Sequence, residues 1–348
     1  MTRELSFGIG LPPTGPLNEV LHTATEVEEL GFDFLWLNDD RLGRDPFALL
    51  AAIAQRTERI RLGPGVTNPY SRHAALIATS MATLDELSGG RAVLGLGAGG
   101  TNHSALGIRR TAPTKALREA VEVIRGLLTG AHVTVEGRVV TAHDASLDFE
   151  PHRDRLPIYI GARGPRVLQL AGEIADGTIV GNVATEEGWS YAKRQLDRGA
   201  ARAGGRRLEE LELVAWLYGC VCNDESAALE AIRPMVATSL ATSRPILDAL
   251  GIDMPSAFAR EMEAREWSMS WEVVAEASAH VPDEIVRCFG LAGNPAECRD
   301  RLAKLLRKFP EISQVVLVPF APAEGSVDGT IRRFMSEVAG GLVAATRV

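Results

Sequence analysis

Four short segments carry residue types that could do chemistry. Asn38-Asp39-Asp40-Arg41 sets two adjacent carboxylates beside a cation. A carboxyl buried next to a like charge has its pKa raised, which suits a proton donor, so Asp40 first and Asp39 second are the candidates for a catalytic acid or orienting group. The plainer reading is a solvated turn that caps the next helix. Leu62-Gly63-Pro64-Gly65-Val66-Thr67-Asn68-Pro69-Tyr70 surrounds a proline with glycines. That composition permits backbone shapes other residues resist, or simply ends a strand in a turn. Gly95-Leu96-Gly97-Ala98-Gly99-Gly100 offers positions without side chains, where a flat ring or a phosphate tail could approach the backbone, though a glycine cluster alone says little. Gly161-Ala162-Arg163-Gly164-Pro165-Arg166 is more specific. A glycine-containing loop running directly into a helix presents N–H groups to an anion, and two arginines stand beside it.

These segments can act together only on a framework that brings them to one place. The chain repeatedly switches from a short apolar run to a longer helical pattern, which is the pattern of βα units around a parallel sheet. Strands are predicted at 5–11, 32–38, 60–66, 92–97, 157–161, 178–181, 211–221 and 314–319. Helices are predicted at 17–30, 46–57, 74–87, 114–128, 165–175, 189–203, 295–308 and 328–343. Glycines or prolines punctuate several of their ends. Eight such units close a (β/α)8 TIM barrel rather than an open sheet, and the four segments then follow strands two, three, four and five, at the C-terminal face where such barrels carry their chemistry. A doubly wound two-domain enzyme is the alternative, but no G-x-G-x-x-G turn follows the first strand.

Two stretches break the rhythm. Residues 132–149 read as an inserted β-hairpin, with a turn at Glu136-Gly137-Arg138. Residues 226–293 are helical in character, interrupted at Pro234, Pro245, Pro255 and Pro282, and too long for one crossover. Residues 1–348 are thus expected to form a single barrel domain with two insertions. Trp267 and Trp271, four apart, are expected to share one face of a packed helix in the second insertion, or else to line a pocket.

A net charge of −8 disfavours nucleic acid and acidic membranes as partners, which leaves a small-molecule substrate. No long apolar run marks a leader or a membrane span, so a cytoplasmic location is expected. Cys220, Cys222, Cys288 and Cys298 form no C-x-x-C pair and flank no histidine cluster, so no metal site is expected. Cys220 and Cys222 alternate along one strand and read as packing. Asp176-Gly177 needs no role beyond a turn.

Three stretches together resemble a known family: Leu62 to His73, Thr83 to Gly99, and Ile158 to Arg166 with Leu170 to Gly177. They are similar to the F420-dependent methylenetetrahydromethanopterin reductases of the luciferase-like superfamily, and the likeness runs from about residue 5 to 340. The resemblance implies coenzyme F420 as the cofactor. It implies a non-prolyl cis peptide at Gly65-Val66 against the deazaflavin ring, with Thr67 and Asn68 in the same loop. Gly97, Ala98 and Gly99 would border the coenzyme, Gly161, Ala162, Arg163, Gly164, Pro165 and Arg166 would hold its phosphate-bearing tail, and Asp39 and Asp40 would stand at the ring edge. A homodimer is implied as well.

Two departures bear on the substrate. The family has Asp-His where this chain has Asp39-Asp40, and a glutamate in the first strand where this chain has Gly10. Loss of that acid changes proton delivery or substrate placement. The expectation is therefore hydride transfer between reduced F420 and a small C=C or C=N acceptor other than the methanopterin. Rival readings are an FMN-dependent luciferase-like monooxygenase and a catalytically silent flavin- or deazaflavin-binding barrel.

Overall fold

Near-continuous apolar strands such as Phe34-Leu35-Trp36-Leu37 bury both faces, as parallel strands covered by helices must. The computed structural model describes residues 5–39, 42–99 and 105–342. The first half of the chain runs β1 (Ser6–Leu11), α1 (Leu17–Glu29), β2 (Phe34–Leu37), α2 (Pro46–Ala54), β3 (Arg61–Pro64), α3 (Ala74–Leu87), β4 (Leu94–Gly97) and α4 (Pro113–Leu128). The antiparallel hairpin β5 (Val133–Glu136) and β6 (Thr141–Ala145) follows. Next come β7 (Ile158–Ala162), α5 (Pro165–Ile174), β8 (Gly177–Gly181), α6 (Glu186–Arg202) and β9 (Glu212–Val221). A helical stretch then holds α7 (Glu225–Thr242), α8 (Leu247–Leu250), α9 (Ser256–Ala264), α10 (Trp271–Ser278) and α11 (Asp283–Arg287). The chain ends with β10 (Gly290–Gly293), α12 (Pro295–Lys308), β11 (Ile312–Pro319), α13 (Val327–Arg333) and a π-helical turn, Phe334–Ala339.

The fold is the expected (β/α)8 barrel, with strands hydrogen-bonded in the order β3-β2-β1-β11-β9-β8-β7-β4 and β10 added beside β9. Parallel bridges at Leu62–Ala92 and Thr67–Leu96 join β3 and its following loop to the start and middle of the β4 segment. The described chain divides into two compact units, one of residues 8–179 and 195–212, the other of residues 5–7, 180–194 and 213–342.

In the first unit, capping and charge explain where elements start. Asp45 accepts from the Ala48 N–H at 3.0 Å and Pro46 opens α2, a pairing that satisfies one of the orphan donors of the first turn. Glu28 collects the backbone N–H groups of Glu58, Arg59 and Ile60 just before β3. Burial alone would raise its pKa, but those three donors hold it below the ordinary value. Arg91, just before β4, donates to the carbonyls of Ala54, Thr57, Ile60 and Ser88. These struts tie the N-terminal ends of the strands, the end of such a barrel that serves stability. Asp176 belongs with them and does more than turn the chain. It accepts from Arg125, Arg155 and the Ile158 N–H, ahead of both β7 and β8. The hairpin turn sits later than predicted, because Glu119 on α4 gathers the N–H groups of Arg138, Val139 and Val140 and holds residues 137–140 as the connection.

In the second unit the predicted break at Pro234 is absent: α7 passes through it. Proline removes one helical hydrogen bond. Burial of Leu229, Ile232, Val236, Ala237 and Leu240 along α7 outweighs that loss, since tertiary packing of an apolar face supplies most helical stability. Trp267 and Trp271 do not share a helix face. Trp267 lies in the link before α10 with φ of 55°, its ring under the Arg244 guanidinium at 3.6 Å, while Trp271 opens α10 and is exposed. The end of the predicted helical insertion is a strand, β10, paired in parallel with Tyr218 to Val221. Cys220 is buried on β9, and burial pushes its thiol up to about 12, as it does that of Cys298, so both are inert packing groups. Cys222 lies just past β9 and is half-buried, with its thiol beside that of Cys220, so the two point to one face as expected.

Candidate active site

The loop after β3 is pinned from both sides. Gly65 N–H donates to the Leu37 carbonyl at 2.7 Å, Thr67 N–H to the Gly95 carbonyl at 3.0 Å, and Gly97 N–H to the Thr67 carbonyl at 2.8 Å. The peptide bond between Gly65 and Val66 is cis, as the resemblance implies. The Val66 side chain fills a cradle of glycines. A Cβ at Gly97 would stand 2.5 Å from Val66 Cγ2, one at Gly95 3.0 Å from Val66 Cγ1, and one at Gly161 3.1 Å from the same atom. The glycines within β4 and β7 therefore make room for a valine, instead of only opening the backbone to a ligand. Three strand ends, of β3, β4 and β7, are locked together through one β-branched side chain.

Thr67 is fully buried, and its hydroxyl donates to Asp39 Oδ2 at 2.5 Å. A hydrogen bond to a carboxylate is charge-assisted and fixes its orientation. Asp39, half-buried just after β2, is thus aimed by the same loop that holds Val66. Asn68 is turned to the loop itself. Its Oδ1 accepts from the N–H groups of Tyr70 and Ser71, each at 3.0 Å, so its carboxamide supports the loop's shape. Asn38, between β2 and Asp39, was missed at the sequence level. Among the described residues its Oδ1 is buried without a hydrogen-bond partner.

Past β7, Gly164 is the N-cap of α5 and Pro165 its first residue. Proline has no N–H there, and the following N–H groups have no earlier turn to bond, which leaves a partial positive charge at the helix start. A Cβ at Gly164 would meet nothing within 4 Å, so the approach to that terminus is open. Gly161, Ala162, Arg163 and Gly164 are half-buried, and Pro165 and Arg166 are exposed. After β4, Gly99 adopts φ of 78° and its carbonyl accepts from Arg110 at 2.7 Å, while Tyr70 donates to the Thr111 carbonyl at 2.7 Å. Residues 110–111 thereby brace the ends of both loops. Ala98 lies between them, half-buried.

A family model for luciferase-like monooxygenases matches residues 5–309 of this chain. The chain belongs to the luciferase-like monooxygenase family. Within it, this luciferase-like protein is 36% identical over 316 residues to the 5,10-methylenetetrahydromethanopterin reductase of Archaeoglobus fulgidus, a match spanning 90% of this chain and 92% of the relative. It is 36% identical over 251 residues to the F420-dependent glucose-6-phosphate dehydrogenase of Microbacterium testaceum, spanning 67% and 73%. Its fold superposes on that of the coenzyme F420-dependent tetrahydromethanopterin reductase from Methanopyrus kandleri with a TM-score of 0.84 and 30% identity, over 97% of this chain and 99% of the other.

Of the candidate residues, Gly65, Val66, Thr67, Gly97, Gly161 and Asp39 are joined by direct packing or hydrogen bonding. Asp40 lies outside the described residues, as does Gly100. Gly10 is buried in β1 in register with Trp36, so no acid stands at the position where the resemblance expects one. Among the described residues no helix is long and apolar enough to cross a membrane.

Proposed function

We propose that this luciferase-like protein is an F420-dependent oxidoreductase that moves a hydride between reduced deazaflavin and a small organic C=C or C=N acceptor. The observation that carries the reading is what the relatives share. Two of them, at similar identity, bear the names of different substrates, a methanopterin and a sugar phosphate, while coenzyme F420 stands in the names of the dehydrogenase and of the superposed reductase. The coenzyme is the common part and the substrate the variable one. Residues of this chain fit such a group: an open helix N-terminus with Arg163 and Arg166 beside it suits an anionic tail, and a loop held rigidly by hydrogen bonds on both sides suits a planar ring.

When bound, the coenzyme supplies a hydride and little reactivity towards oxygen. The chain's own residues supply placement. The Gly65–Thr67 backbone supports one ring face, and Gly97, Ala98 and Gly99 border it. The α5 terminus with Arg163 and Arg166 fixes the tail. Asp39, aimed by Thr67, orients the ring edge, and Asp40 is the candidate to deliver a proton to the acceptor. The chain acts as one barrel domain, residues 1–348, with the hairpin at 132–149 and the helical stretch at 226–293 as insertions. It works in the cytoplasm as a homodimer on a small-molecule substrate.

The test is anaerobic mixing of the protein and reduced F420 with cyclohex-2-en-1-one, a cyclic imine and a dehydroamino acid, following return of the oxidised coenzyme's visible absorbance. Acceptor-dependent oxidation that falls at least tenfold in Asp40→Asn supports the reading. Oxygen consumption with reduced FMN, and none of this chemistry with F420, overturns it in favour of a monooxygenase.

A further inference from the structure

Three arginines of the first unit converge at the N-terminal ends of its strands, the end opposite the loops of the site above. Arg125 comes from the last turn of α4, Arg155 from the approach to β7 and Arg206 from the loop between α6 and β9. Asp176 stands among them. It accepts from Nη2 of Arg125 at 2.9 Å and from Nη2 of Arg155 at 2.5 Å, one on each carboxylate oxygen. The Asp176 carbonyl accepts from the Glu212 N–H at 3.1 Å, which draws the segment carrying Arg206 to the same place. Gly204 and Gly205, with φ of 76° and 87°, turn the chain ahead of Arg206 in a left-handed shape that glycine adopts readily.

Two guanidinium groups on one carboxylate leave a net positive charge, and each spends one nitrogen on Asp176 out of the five N–H donors it carries. Arg206 adds a third group. It is half-buried, and among the described residues its guanidinium makes no hydrogen bond or ion pair. Burial disfavours its charge, Asp176 and Glu210 ease that in part, and Arg125 and Arg155 oppose it, so its pKa lies below the ordinary value. The other carboxylates nearby are engaged elsewhere or stand in water. Glu210 pairs with Arg207 at 3.6 Å, and Asp154, next to Arg155, is exposed. With Arg207 included, four guanidinium groups face three carboxylates, in a chain whose net charge is −8. The donors are open to solvent, since the side chain of Arg155 is 70% exposed and that of Arg125 35%. A guanidinium donates and never accepts, so the partner that this cluster suits is an anion.

We propose that Arg125, Arg155 and Arg206 form an anion site for a phosphate group, free or as a monoester, at the end of the barrel opposite the coenzyme. Guanidinium forks match phosphate oxygens in pairs, and a tetrahedral oxyanion has oxygens enough to meet three forks, where a carboxylate meets two. The bound group bridges Arg206 to the pair held by Asp176. It thereby ties the loop before β9 to the starts of β7 and β8 and stabilises the barrel without touching its mouth. The site needs no coenzyme, and the proposal stands apart from the functional reading above.

The experiment is calorimetric titration with inorganic phosphate and with glycerol 3-phosphate at constant ionic strength. The parent protein is Arg166→Glu, which closes the α5 terminus to phosphate. One equivalent should bind. Adding Arg206→Gln should weaken binding at least about tenfold, the loss expected for a hydrogen bond to a charged group. Arg206 has no bond to forfeit, so this change should leave the Tm of the ligand-free parent in place. Arg207→Gln, one residue on and exposed, should leave the affinity unchanged. Tighter binding of the ester identifies the phosphate group of a metabolite as the ligand, and tighter binding of the free ion identifies phosphate itself. In the wild-type background, Arg206→Gln should bind F420 as before. No binding to the Arg166→Glu protein, a smaller loss in Arg206→Gln, an equal loss in Arg207→Gln, or weakened F420 binding in Arg206→Gln overturns the proposal. If F420 fails to bind the wild type while the phosphate results hold, the coenzyme reading falls and the second site stands.

Discussion

Replacing Gly97 by alanine should damage the site through a single contact. The added Cβ would stand 2.5 Å from Val66 Cγ2, about 1 Å inside the separation at which two carbons attract, roughly 3.5–4.0 Å. Gly97 does not need a left-handed backbone, so the effect is steric rather than conformational. Valine is stiff at its one side-chain torsion and cannot swing aside. Nor can its backbone retreat easily, because Gly65 N–H is bonded to Leu37 and Thr67 N–H to Gly95 on either side of it. Overpacking of this kind costs about 1–3 kcal/mol. For a chain of this size that corresponds to a fall in Tm of about 1–4 °C. The larger effect should be on binding, since a displacement of ~1 Å in a positioning loop can lower affinity or rate by a factor on the order of 10–100. Thermal unfolding and fluorescence titration with F420 measure both, with Gly164→Ala as the control for stability because a Cβ there meets nothing within 4 Å. If Gly97→Ala unfolds within about 1 °C of the wild type and binds F420 equally well, the view that Val66 locks three strand ends is wrong.

Other expectations follow from single contacts. Thr67→Val removes the donor to Asp39 and should cost about 1–2 kcal/mol in urea unfolding, with a clear loss of F420 affinity; an unchanged affinity would separate Asp39 from the coenzyme. Asp176→Asn breaks a carboxylate that is 17% exposed and paired with Arg125 and Arg155, for a loss of about 2–3 kcal/mol at neutral pH. Burial alone would raise the Asp176 pKa, but Arg155, the Ile158 N–H and Arg125 hold it below the ordinary value. The stability it contributes is therefore complete above about pH 4 and is lost as pH falls through the lowered value. The Tm gap between wild type and variant should accordingly close in acid, and a gap that widened there would contradict the assignment. Arg166→Glu, at an exposed position, should leave Tm unchanged while weakening F420 about tenfold or more, most strongly at low salt; equal weakening at all salt concentrations would argue against a charge contact.

Much of the fold was legible because its signals are local. The eight expected barrel strands and most of the helices lie within a few residues of their predicted bounds, since apolar runs bounded by Gly or Pro depend on short-range pattern, whereas β10 read as helical and α13 ends well before residue 343. The errors share a cause in long-range contacts. Pro234 reads as a break, yet α7 continues because its buried face is packed. The hairpin turn moved because Glu119, remote in sequence, captures it. Trp267 and Trp271 have helical spacing, but Trp267 is itself left-handed and lies outside α10. At the site, Gly97 and Gly161 were recognisable as special, but the reason, the Val66 side chain between them, is a tertiary fact. Asn38 stands in the first segment, but the burial of its unpartnered oxygen is likewise a tertiary fact.

The central claim, that the barrel mouth of this luciferase-like protein is built for a deazaflavin, is tested most directly by titrating the apo protein in parallel with F420 and FMN and following their absorbance and fluorescence. The account predicts saturable binding of F420, weakened in Gly97→Ala and Arg166→Glu, and FMN binding at least about tenfold weaker. Tight binding of FMN with no response to F420 would contradict it.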